Sequence, residues 1–135
     1  MELAHVEVIV LKIIGKKQAI SNSLLTNITI LLKRASHVHN FRINSNGVSI
    51  NEICSIIPRQ IKTLTIWVKT YDDMETVLKQ LDYLSKVTFK YDEYNQPYDS
   101  FSRIIQWLIQ EEKIFTHKQE KYSLQLYFQQ DNTSN

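Results

Sequence analysis

The stretch Leu64-Thr-Ile-Trp-Val-Lys-Thr-Tyr-Asp-Asp-Met-Glu-Thr-Val-Leu-Lys-Gln-Leu-Asp-Tyr-Leu-Ser-Lys-Val87 decides how the chain folds. Leu64, Ile66 and Val68 fall on one face and Trp67 on the other, the period of two that belongs to a β-strand. Asp72 and Asp73 then offer carboxylates to the free amides of a helix start, and Met74, Val77, Leu78, Leu81 and Leu84 recur at helical spacing. From Val87 to Tyr91 the pattern is that of a strand again. Strand, helix and strand in direct succession read as one βαβ unit.

A similar order appears upstream. His5 to Ile14 carries Val6, Val8 and Val10 on one side and Ile9, Leu11 and Ile13 on the other, which predicts a strand buried on both faces. Ser21, Asn22 and Ser23 supply capping oxygens, and Leu24, Leu25, Ile28, Leu31 and Leu32 line one helix face that ends at Lys33 and Arg34. Val38 to Ile43 is a second strand, and the Asn46-Gly47 pair after it predicts a hairpin or sharp reversal. Val48 to Ile57 satisfies both periods and reads as a strand start running into a short helix, closed by Pro58. The order strand, helix, strand, strand, helix, strand predicts an α+β, ferredoxin-like βαββαβ antiparallel sheet with two helices on one face, over residues 1–95.

Asp92 to Asp99, with Asn95, Gln96 and Pro97, marks a boundary. Residues 96–135 then read as a helix-strand extension packing on the first unit: a helix from Ser100, a polar turn rich in Lys and Gln, and a strand alternating at Tyr122, Leu124, Leu126 and Phe128. Beyond Gln129 the polar C-terminus is expected to fray.

Composition bounds the function. With 43% apolar and 22% charged residues the chain has the makeup of a packed globular domain rather than a disordered one. The net charge of +2 gives no general drive toward nucleic acid or anionic membrane. The single cysteine, Cys54, forms no intrachain disulfide, and Glu2, His5 and Glu7 break up any signal-peptide layout, so the cytoplasm is the expected compartment. No apolar run approaches the roughly 20 residues that a membrane span requires.

Leu64 to Val87, with its acidic helix start and Lys79-Gln80-Leu81 followed by Leu84 and Val87, resembles the second half of an ACT domain. The closest likeness is to the regulatory small subunit of acetolactate synthase. Ser23 to Ala35 occupies the place of that family's first helix, and Asn22 and Ser23 stand where the family has Pro and Gly. The resemblance implies a homodimer or an accessory subunit of a larger protein, with a small amino-acid-like effector held at Lys16, Lys17, Ile20, Ser21, Asn22, Ser23 and Leu24. The family's glycine admits a ligand close to the backbone, so Ser23 in its place implies weak amino-acid binding and use of the same surface for protein contact. No cofactor is implied.

Residues with intrinsic chemistry are few. His37 and His39 sit two apart on a strand and share a face, but no third metal ligand lies near, and edge or surface histidines are the simpler account. Cys54 sits among isoleucines and reads as inert core. No nucleophile elbow, zinc-protease helix or phosphate loop occurs, which points away from an enzyme. Arg59, Lys62 and Lys69 surround Trp67, and Arg103, Lys118 and Lys121 add charge to the extension. That set supports a second reading, a winged-helix nucleic-acid-binding protein, against ordinary surface charge around a half-buried tryptophan. The leading expectation is a non-enzymatic regulatory or accessory protein acting through protein contact.

Overall fold

The computed structural model describes residues 8–13, 22–35, 37–45, 49–91 and 100–129. The chain runs β1 (Val8–Ile13), α1 (Asn22–Arg34), β2 (Asn40–Ser45), α2 (Ile50–Ile56), β3 (Thr63–Trp67), α3 (Tyr71–Gln80), β4 (Lys86–Lys90), α4 (Ser100–Gln110), β5 (Phe115–Gln119) and β6 (Ser123–Phe128). All six strands join one sheet in the order β1-β2-β3-β4-β6-β5. The first four are mutually parallel, and only β6 and β5 run antiparallel to their neighbours.

This overturns the ferredoxin-like antiparallel expectation. The four segments around Val8, Phe41, Ile66 and Phe89 are strands, but they lie side by side in chain order and point the same way. The reason is α2. Ser49 caps it, its side chain accepting from the Glu52 amide at 3.3 Å, and within the ambiguous segment Ile50–Ile56 forms a crossover helix. A helix between β2 and β3 replaces the expected hairpin by the crossover that parallel neighbours need, and β2 and β3 pair in parallel. The Asn46-Gly47 turn lies outside the described residues. The polar turn expected before the last strand contains β5, so the extension contributes a hairpin, with β6 laid directly against β4.

A repeat underlies the parallel region. The paired positions Asn40, Thr63 and Lys86 stand 23 residues apart at each step. The turns before these strands repeat at the same interval, with Val38 donating to Ala35 O, Ile61 to Pro58 O and Leu84 to Leu81 O. Core residues repeat with them: Val38, Ile61 and Leu84 before the strands, then Phe41, Leu64 and Val87, then Ile43, Ile66 and Phe89, none more than 2% exposed. One strand-helix unit cannot bury its own apolar face, and stacking units of this length does so, as in solenoid proteins.

Strands added in chain order through crossovers of one hand must leave every helix on one side of the sheet. Consistently, α1 meets α2, α2 meets α3 and α3 meets α4. Their inward residues, among them Leu32, Ile53, Met74, Val77, Ile104 and Leu108, cover the sheet rows Phe41, Leu64, Val87, Leu126 and Ile43, Ile66, Phe89, Leu124. Helix α4 ends where Glu112 takes φ 57°, with Lys113 N–H reaching back to Leu108 O, and the chain turns into the closing hairpin.

Gln60 ties one repeat to the next. Its Nε2 donates to Leu32 O at 3.1 Å and Ala35 O at 2.9 Å, satisfying carbonyls at the end of α1. Gln60→Ala is expected to cost about 1–3 kcal/mol by leaving these partly buried acceptors unpaired. Chemical denaturation would show it, and a shift no larger than that of an exposed-site change such as Gln106→Ala would contradict it.

Candidate site on the open face of the sheet

With every described helix on one side, none of the described helices covers the other face, termed the open face, and its side chains follow from strand alternation and register. One row crosses the sheet as Arg42, Thr65, Thr88, Gln125 and Lys118. On one side of it run Asn40, Thr63, Lys86, Tyr127 and Thr116. On the other side stand Trp67, Lys90 and Ser123 in register, with Asn44 on β2. Across β2 to β6 the residues of this face include four cations, two large aromatic rings and several hydroxyls, with no carboxylate among them.

The lysines are held by the rings. Lys86 Nζ lies 5.1 Å from the Tyr127 ring centre and Lys90 Nζ 5.3 Å from that of Trp67, both across strand pairs. Such contacts orient an ammonium without neutralising it. Among the described residues neither lysine forms an ion pair, and Lys118 has only a distant one, 3.9 Å to Glu120 in the β5–β6 turn. Thr65 and Thr88 are 9% and 6% exposed, a low floor between the longer residues on either side. On β2, Arg42 Nε and Asn40 Oδ1 are buried without hydrogen-bond partners, an arrangement that costs free energy as long as nothing satisfies it.

The residues expected to form a nucleic-acid surface are divided among several faces. Trp67 and Lys118 lie on the open face. Arg59 and Lys62 instead flank the Tyr83 ring, at 5.8 and 5.7 Å, by the end where the parallel strands begin. Arg103 is on α4, 4.2 Å from the Tyr71 ring centre, while Lys69 follows β3 and Lys121, 5.2 Å from the Tyr122 ring centre, precedes β6, both at the opposite end of the sheet. Of the expected effector residues, Lys16, Lys17, Ile20 and Ser21 lie outside the described residues, and Asn22, Ser23 and Leu24 form the first turn of α1. Arg42, Lys86, Lys90 and Tyr127 were not anticipated. Their signal was alternation, since each is a polar or amphipathic residue next to a core position on its strand.

Elsewhere the chemistry is sparse. His37 and His39 are exposed, and His39 Nδ1 lies 3.1 Å from Gln60 O. Among the described residues no group of three or more His, Cys, Asp or Glu is placed to hold a metal ion. Cys54 is buried, and burial pushes its thiol up to about 11. A cavity of about 290 Å³ opens between the ends of α3 and α4 and the end of β6, lined by Leu78, Leu81, Trp107, Leu108, Ile114 and Phe128. It is at the small end for a ligand pocket. No described helix is long and apolar enough to cross a membrane. No model of a known protein family and no curated protein sequence matches the chain.

Proposed function

We propose that this protein is a non-enzymatic accessory module that binds an acidic segment of another protein on the open face of its sheet. The observation that carries the reading is the charge of that face: Arg42, Lys86, Lys90 and Lys118 on three different strands, with no carboxylate in the described rows. The whole chain has a net charge of only +2, so these cations are a local feature rather than a general excess. A second copy of the chain is a poor occupant, because two such faces would set like charges against each other.

Nucleic acid is the competing occupant, and two features disfavour it. Each ring face that a base would stack on already carries an ammonium group. Trp67 and Tyr127 are also two strands and four residues apart, about 16 Å at ordinary sheet spacings, too far for neighbouring bases to use both.

Titrating the isotope-labelled protein with polyglutamate and, separately, with a mixed-sequence single-stranded oligonucleotide separates the readings by NMR. The expected result is that polyglutamate shifts the amides of Arg42, Thr65, Thr88 and Lys90, with affinity falling as salt rises. Shifts on this face with the oligonucleotide alone would replace the protein partner by nucleic acid.

A further inference from the structure

The open face has a direction as well as a charge. Thr65 and Thr88, nearly buried, floor a trough that runs across the strands rather than along them. Lys86 and Tyr127 stand on one side of it, Trp67 and Lys90 on the other, and Arg42 on β2 and Lys118 on β5 close its two ends. The lysine pair on β4 faces the middle of the trough. From β4 the end cations are each two strands away, which at about 4.8 Å per strand is about 9.6 Å on either side.

That interval is close to three residues of polyproline II helix, whose rise of about 3.1 Å per residue gives about 9.3 Å per turn and returns every third side chain to the same face. A β-strand ligand fits less well, because side chains three apart would point to opposite sides. Resting on the reading of this face as a binding surface, we infer that its partner is an acidic segment in polyproline II conformation, lying across the strands with a carboxylate at every third residue. The central carboxylate sits over Thr65 and Thr88 between Lys86 and Lys90. The outer two reach Arg42 and Lys118. At Arg42 the carboxylate forms a charge-assisted pair with the guanidinium. The backbone of such a segment forms no internal hydrogen bonds and is already extended, so little conformational freedom is lost on binding.

The test uses two capped seven-residue peptides of identical composition. One has glutamate at its first, fourth and seventh positions and proline elsewhere; the other has its three glutamates contiguous. The spaced peptide is expected to bind about tenfold more tightly, read by NMR titration of the full chain, because only it meets all the cations at once. Arg42→Gln and Lys118→Gln should each erase that preference while leaving the amide spectrum of the core unchanged. Lys33→Gln, on α1, should leave it intact. Equal binding of the two peptides, with polyglutamate still shifting the open face, overturns the spacing and keeps the surface. No shift on that face from any acidic probe overturns both.

Discussion

Phe89→Ala will lower the free energy of unfolding by about 3–5 kcal/mol, among the largest losses that a single change in this chain should produce. Phe89 is 0% exposed on β4, in the row that also holds Ile43, Ile66 and Leu124 and that the helices cover. Removing the ring leaves a cavity among rigid neighbours on three strands, and the sheet cannot collapse to fill it without disturbing its register. Trp67→Ala is the informative control. Trp67 is as large but half-buried on the open face, so its loss should cost less than half as much. Urea unfolding of both variants measures the difference. If Trp67→Ala proves the more damaging, the two faces of the sheet have been assigned the wrong way round.

That assignment was partly legible in the sequence. The four strands expected around Val8, Phe41, Ile66 and Phe89 exist, and alternation at Phe41 and Ile43, at Leu64 and Ile66 and at Val87 and Phe89 reports a buried face whatever the partner strand does. Alternation does not tell parallel from antiparallel pairing. That depended on the ten residues from Val48 to Ile57, where Val48 and Ile50 alternate while Ile50, Ile53, Ile56 and Ile57 fit a helical face, and on Ser49, whose capping role became visible only beside the Glu52 amide. Reading that segment as part strand removed one crossover and with it the parallel sheet. The 23-residue repeat was present in the spacing of Val38, Ile61 and Leu84, but helices of 13, 7 and 10 residues sit differently within each unit and obscure it.

The candidate site was harder to read because it is assembled from different strands. Trp67 and Lys118 were singled out, yet what joins them to Arg42, Lys86 and Lys90 is register across β2, β3, β4, β6 and β5, which no local pattern contains. Arg59, Lys62 and Lys69 were grouped with Trp67 because they are close in sequence. Strand geometry separates them, since a residue's face depends on whether its distance along the strand is odd or even, and residues beyond the strand ends leave the face altogether.

Raising the pH from about 9 to about 12 should progressively destabilise the fold, through groups that pack in their neutral forms. Burial pushes the Tyr83 and Tyr91 phenols up to about 12 from an ordinary 10.0, and the Cys54 thiol up to about 11 from 9.0. Tyr83 is raised further by Cys54, and its hydroxyl donates to Ile57 O at 2.8 Å, a bond that the phenolate cannot make. Tyr91 packs against Phe101 with ring centres 5.0 Å apart, and a bond to Ser100 only partly offsets its burial. Below about pH 8 all three are protonated whether the chain is folded or not, and their contribution is fully present. Above the ordinary values the unfolded chain loses these protons while the folded chain keeps them, so the unfolded state binds fewer protons and stability falls with pH. The fall begins with Cys54, steepens through the tyrosine range and levels off once the folded groups also ionise. Denaturant midpoints under reducing conditions at intervals from pH 8 to pH 12 would trace it. Tyr83→Phe and Tyr91→Phe should each flatten the upper part of the curve. A midpoint that holds level to pH 11 would mean that these side chains are hydrated in the folded protein, which is incompatible with the packing of α2, α3 and α4 against the sheet.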